Sequence, residues 1–188
     1  ALENVTGFAK HILPLFQENP EVDIEFRTKS IQREPFMSME PMKNVIMAYS
    51  LMPDLMSSSL DNKVPSISKR IQAISDLALR GWKIGLRFDP LIHGEDWKSL
   101  YENLLEKVYN SIPLESIHSV SVGPLRFPKK MFKDILKLYP EEPLFTSSLA
   151  SSKGIVSYDT KIEEEMSSFC KNLTLKYLDN SQIFRCYV

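Results

Sequence analysis

The chain has 188 residues, 43% of them hydrophobic and 25% charged, with a formal net charge of −1. A length near that of one average domain and an ordinary composition exclude a disordered chain, a collagen-like fibre and a disulfide-stapled miniprotein. The near-neutral charge advertises no global basic field for nucleic acid, and no apolar run is long enough to span a membrane. The two cysteines, Cys170 and Cys186, are too few for a disulfide framework, so a reducing, cytoplasmic location is expected. They are also too few for a four-cysteine zinc or iron–sulfur site. No signal-peptide pattern is read. A sequence that opens on Ala1 rather than Met is expected to be processed, trimmed or partial.

In chain order, Asn4 to Asn19 reads as a helix with Phe8, Ile12, Leu15 and Phe16 on one face, kinked or shortened by Pro14. Val22 to Phe26 alternates apolar and acidic residues, which is a strand pattern. Ile31 to Met42 is a short connection with room for a turn or two of helix. Asn44 to Ser50 is a nearly continuous apolar run, as in a parallel strand covered on both faces. Leu51 to Pro65 reads as a loop. Ser66 opens a helix whose stripe is Ile67, Ile71, Ile74, Leu77 and Ala78, ended by Gly81. Lys83 to Phe88 is a strand closed by Asp89-Pro90. Trp97 to Ile112 is an amphipathic helix with Leu100, Leu104, Leu105 and Val108 inward, and Ile117 to Val122 a strand ending in Gly123-Pro124. Pro128 to Tyr139 is a helix that is basic on its outer face. Thr146 to Gly154 is Ser-rich and reads as a loop or disordered excursion. Glu163 to Leu178 is helical, and Ile183 to Val188 is a last strand.

Strands alternating with helices define an α/β class with a parallel sheet. In such sheets ligands sit beyond the C-terminal ends of the strands. Those ends carry Arg27-Thr28-Lys29-Ser30, Tyr49-Ser50, Arg87-Phe88-Asp89-Pro90 and Gly123-Pro124-Leu125-Arg126. Four successive clusters of donors fit an anionic or zwitterionic ligand held by charge-assisted hydrogen bonds.

Five blocks in order resemble the spore photoproduct lyase family: Phe26 to Ser30, Ser50 to Pro53, Val64-Pro65-Ser66 with Arg70 and Ala73, Gly85 to Pro90, and Val122 to Phe127. The resemblance covers about Phe16 to Tyr139. It implies a partial TIM-type (βα)6 barrel with outer helices over residues 1–145, its first strands missing from this chain, and a C-terminal extension over 146–188. It also implies radical S-adenosylmethionine chemistry on a thymine photoproduct in DNA, with a [4Fe–4S] cluster. The family's CxxxCxxC loop and hydrogen-donating cysteine are expected upstream of Ala1, so the chain alone is expected to be inactive. By the same match, Lys29 and Ser50 contact S-adenosylmethionine, and the backbone of Phe88, Asp89 and Pro90 borders the adenosine. Arg126 and Tyr158 face the substrate.

The sequence departs from the family where a Gly-Lys-x-Arg-Tyr hairpin is expected. Here Gly154-Ile155-Val156-Ser157-Tyr158 keeps only the glycine and the tyrosine, and loss of the basic pair removes phosphate contacts and counterion release. An acidic residue expected shortly upstream is replaced in the Ser147-Ser148 region, and the chain ends before the glutamate that usually follows the match to Cys186.

Other conspicuous residues take structural readings. His11, His93 and His118 do not form a metal spacing. Cys170 and Cys186 read as core, the Met37, Met39, Met42 and Met47 group as core filling, and Trp97 with Tyr101 as packing. Glu163-Glu164-Glu165 is a solvated run at a helix start. A rival reading of the whole chain is an iron-free α/β-barrel enzyme or binding protein for a small anionic metabolite, and a third is a non-catalytic remnant or DNA-binding module. The unpaired edge of the Val22–Phe26 strand is expected to favour self-association unless the first helix covers it.

Overall fold

The structure, a computed structural model, describes residues 3–146 and 149–186. The chain begins with α1 (Glu3–Thr6), α2 (Phe8–Glu18), β1 (Ile24–Thr28), β2 (Val45–Ser50), α3 (Asp54–Leu60) and α4 (Ile67–Arg80). It continues with β3 (Lys83–Leu91), α5 (Trp97–Tyr109), β4 (Ile117–Pro124), β5 (Arg126–Pro128) and α6 (Lys129–Leu138). The last elements are β6 (Leu149–Ser152), β7 (Ile155–Tyr158), α7 (Thr160–Thr174) and β8 (Ile183–Arg185).

Five parallel strands form one sheet in the order β1-β2-β3-β4-β8, the α/β arrangement expected. Strand alternation sorts the side chains onto two faces. Val45, Met47 and Tyr49, with Ile84, Leu86 and Phe88 and with Val120 and Val122, pack under the helices in one core. That core takes the expected stripe of α4 and adds Tyr101, Leu104 and Leu105 of α5. Each such fully buried aliphatic or aromatic side chain contributes about 1.5–3 kcal/mol. The register Ala48–Gly85–Ser119 and Ser50–Arg87–Ser121 places small and polar residues on the opposite face. There Arg87 pairs with Glu25 (Nη2–Oε2 2.5 Å) and also donates to the Ser119 hydroxyl (2.9 Å).

α4 is the best-signalled element. Ser66 caps its start by accepting from the Lys69 amide, and Gly81 ends it in the left-handed region at φ 106°. The C-terminal residues join the same body. β8 extends the main sheet beside β4, and the Tyr109 hydroxyl of α5 donates to Thr174 of α7 (3.1 Å).

Several elements depart from expectation. The first helix is broken at Gly7, which takes φ 57°, and Ala9 and Leu13 are its buried positions. Phe8 and Leu15, expected inward, are half exposed. The i, i+4 pair Ala9–Leu13 is the one that joins the core cluster. Leu51–Pro65, expected as a loop, contains α3, opened after Pro53. β3 runs on through Asp89-Pro90 to Leu91, with two of its residues, Asp89 and Pro90, set against the single Gly123 of β4 between Phe88–Val122 and Leu91–Pro124. Such a bulge redirects the extra residues instead of ending the strand.

The Ser-rich stretch forms the β6–β7 hairpin, and β7 also pairs with β5 in a three-stranded antiparallel sheet. Hairpin pairing satisfies backbone groups that a loop would leave to water. The Ser147-Ser148 pair lies outside the described residues, as do the last two residues of the expected Ile183–Val188 strand. Leu100 is half-buried, not inward, and Cys186 is half-buried instead of core. Of the run read as solvated, Glu164 and Glu165 are exposed, Glu165 beside Lys98, whereas Glu163 is half-buried against Ser157. The β1 strand has one hydrogen-bonded neighbour, β2, among the described residues, and Phe8 of α2 meets Phe26 edge-on at 6.4 Å.

Candidate functional site

The C-terminal ends of β1, β2, β3 and β4 gather the charged residues into two joined groups. The first is built on Asp61, at the C-terminal end of α3. Its carboxylate receives Lys29 Nζ at 2.5 Å, Arg70 Nη2 at 2.9 Å and Ser57 Oγ at 3.1 Å. Arg70 is fully buried on the apolar stripe of α4. It also donates to the Pro65 carbonyl (2.9 Å) and to the Ser50 carbonyl (3.2 Å). One buried guanidinium therefore ties the end of β2 to the carboxylate that holds Lys29. Burial alone would push the Asp61 carboxyl up, but the hydrogen bonds from Lys29 and Arg70 hold it below its ordinary value. Beside this group lies a pocket of about 390 Å³, lined by Lys29, Asp61, Met52, Pro90, Leu125 and Phe127 among others.

The second group is built on Asp89, aimed by the β3 bulge. Arg27 Nη2 and Arg126 Nη2 approach its Oδ2 from two sides at 3.7 and 3.6 Å. Arg27 also donates to the Asp89 carbonyl (3.1 Å) and to the Ser50 hydroxyl (3.3 Å). Cys186, held by its amide on the Val122 carbonyl (3.0 Å), lies against Asp89 and Ser121. Burial, with the nearby Asp89 carboxylate, pushes its thiol up. An adjoining cleft of about 460 Å³ is lined by Arg126, Ser157, Tyr158, Arg185 and Cys186 among others.

The expected site residues are thus brought to one end of the sheet. Lys29 and Ser50 are joined through Arg70 and Asp61, and Asp89 and Arg126 face each other. Phe88 turns its side chain into the core, leaving only its backbone for a ligand, while Pro90 lines the pocket with Lys29. Tyr158 lines the cleft but is 4% exposed, and its hydroxyl accepts from the His93 amide at 3.1 Å. Sequence reasoning placed Arg27 in a strand-end donor cluster and Arg70 in a family block without an individual role for either, and gave Asp61 none. The one available signal was a charged residue, Arg70, on an otherwise apolar helical stripe; Asp61 sat in a stretch read as loop.

The strand ends of this five-stranded parallel α/β sheet thus present cations and hydroxyls to two pockets. Residues 1–177 match the family model of spore photoproduct lyase. The chain belongs to the spore photoproduct lyase family. It is 22% identical over 143 residues to the spore photoproduct lyase of Clostridium acetobutylicum, and 22% identical over 145 residues to that of Bacillus subtilis strain 168. Each match covers 76% of this chain and 42% of the relative, so the chain spans less than half the length of these relatives. Among solved structures, a spore photoproduct lyase mutant with bound AdoMet and dinucleoside spore photoproduct superposes with a TM-score of 0.73 at 16% identity. A second mutant of that enzyme superposes with a TM-score of 0.74, also at 16% identity. Each covers 88% of this chain and 51% of the other, and they establish a shared fold.

Proposed function

We propose that this chain supplies the cofactor-carboxylate and substrate-facing surfaces of a radical S-adenosylmethionine enzyme that acts on a thymine photoproduct in DNA, in the cytoplasm. One observation carries the reading: at one end of the sheet Lys29 and the buried Arg70 share the Asp61 carboxylate, and Arg70 also holds the Ser50 carbonyl. An ammonium and a hydroxyl so placed suit the α-carboxylate of S-adenosylmethionine, and the apolar wall at Pro90 and Leu125 suits its adenosine. The family's chemistry comes from S-adenosylmethionine cleaved at a [4Fe–4S] cluster. The residues here do not fit that cluster: Cys170 is buried in the core, Cys186 sits beside Asp89, and no described group of His, Cys, Asp and Glu could hold a metal ion. The part of this chain is to bind and orient.

Arg126 and Tyr158 line the substrate side, in the cleft that the β6–β7 hairpin borders. Ser157 stands where the family has arginine; its hydroxyl donates to the Leu125 carbonyl (2.7 Å), so it gives DNA no cation. The edge of β1 supports pairing with a further strand or a second copy of the chain.

Calorimetric titration of the chain with S-adenosylmethionine tests the reading. Lys29→Met weakens binding about tenfold, the loss of one charge-assisted hydrogen bond, and the cofactor's methyl ester binds to wild type no better than the acid binds to the variant. Equal affinity of acid and ester, or an unaffected Lys29→Met, overturns it.

A further inference from the structure

We propose that Arg27 and Arg126 form a built site for one monoanionic oxygen group, a phosphodiester or a carboxylate, at the C-terminal ends of β1, β3 and β4. The inference deepens the proposed function, on which it rests for the identity of the substrate.

The charges are unbalanced at this point. Two guanidiniums share one carboxylate, Asp89, and the neighbouring Arg87 is already neutralised by Glu25. One positive charge remains, and one monoanion would balance it. The geometry shows that the Asp89 carboxylate satisfies neither arginine. Its Oδ2 stands 3.7 and 3.6 Å from the two Nη2 atoms, beyond the 2.7–2.9 Å of a charge-assisted hydrogen bond. Each guanidinium carries five N–H donors. Arg27 directs two bonds to Ser50 and the Asp89 carbonyl, and Arg126 directs one to the Pro124 carbonyl. Both side chains retain solvent access, 43% and 21%.

Two independent features point to a ligand. Ser121 is 6% exposed, and its hydroxyl has no hydrogen-bond partner of normal geometry among the described residues; its polar neighbour is the Cys186 thiol. The alternation of β4 sends it to the same side as Gly123. A Cβ at Gly123 would come within 2.8 Å of Arg126 Nη1, 3.0 Å of Cys186 Cβ and 3.4 Å of Asp89 Oδ1. The missing side chain is what lets arginine, thiol and carboxylate converge beside an unspent hydroxyl. The charges lining the adjoining cleft, Lys153 and Arg185 against Asp159 and Glu163, balance one another and leave the excess at the arginine pair.

The test is NMR titration of the 188-residue chain with dimethyl phosphate and with acetate, following the Gly123 and Cys186 amides and the arginine Nε–H signals. Saturable shifts are expected, weakened about tenfold or more in Arg126→Gln and in Arg27→Gln. Gly123→Ala, which keeps every charge but pushes on Arg126, weakens binding as well and serves if the double arginine variant does not fold. Two further pairs of probes separate the sources. Preference for thymidylyl-thymidine over its neutral methylphosphonate assigns a phosphodiester, and preference for acetate over dimethyl phosphate assigns a carboxylate other than the cofactor's, which Lys29 holds. Linear, non-saturating shifts with both small anions overturn the proposal, as does saturable binding that survives in a folded Arg27→Gln/Arg126→Gln double variant. Lys29→Met leaves the small-anion shifts unchanged, so failure of the cofactor reading and failure of this site are told apart.

Discussion

Removing the Asp61 carboxylate probes the keystone of the strand-end network. In Asp61→Ala, fully buried Arg70 keeps its bonds to the Pro65 and Ser50 carbonyls and to Ser57 but loses its only paired anion among the described residues. Lys29 is 32% exposed and regains water, so its loss adds little. The cost is then set by one uncompensated buried guanidinium, about 3 kcal/mol. For a domain of this size that corresponds to a fall in Tm of roughly 6–12 °C. Asp61→Asn, which keeps an acceptor, loses about half as much. Thermal and urea unfolding measure both. The double variant Asp61→Ala/Arg70→Met is the internal check, because removing both charges recovers part of the loss. If Asp61→Ala costs under about 1 kcal/mol, or if the double variant shows no recovery, the buried pair does not hold this end of the sheet and the reasoning fails.

Two further outcomes follow from the ionisable groups. Glu25 is held low by hydrogen bonding to Arg87, and Asp61 is held low by Lys29 and Arg70 against the pull of burial. A carboxyl with a lowered folded pKa contributes stability that is complete above its unfolded value and lost as pH falls through the folded value. Urea stability should therefore be flat near neutrality and decline below about pH 4, and Glu25→Gln/Asp61→Asn should flatten that decline; an unchanged acid limb would refute the assignment. Burial pushes the Cys170 thiol up to about 12, and burial with Asp89 raises Cys186. At pH 8 a thiol reagent should label Cys186 slowly and Cys170 only on unfolding, with Asp89→Asn speeding the first; rapid labelling of two thiols in the native chain would contradict this.

The amino-acid order alone determined the α/β class, the course of β2, α4, α5, β4 and α7, and the set of polar residues beyond the strand ends. It could do so because burial periodicity and capping are local: Ile67, Ile71, Ile74 and Leu77 repeat with the helical turn between Ser66 and Gly81, and that spacing survives in any environment. The five family blocks also lay in the sequence, since they are short contiguous words. Other features were decided by contacts between distant segments. α3 is rich in serine, a weak helix former, and its end is fixed by Arg70 13 residues beyond Ser57 in the chain. The Ser-rich stretch becomes a hairpin because β5, which precedes α6, supplies its partner strand. The inward face of α2 is Ala9–Leu13, set by what packs against the helix and not by the apolar spacing of the helix itself. Above all, that Lys29 and Arg70 share Asp61, and that Arg27 and Arg126 converge on Asp89, depends on how the segments pack and on the β3 bulge. Those are set by pairing between segments up to 62 residues apart, and no local pattern encodes the angle at which two side chains meet.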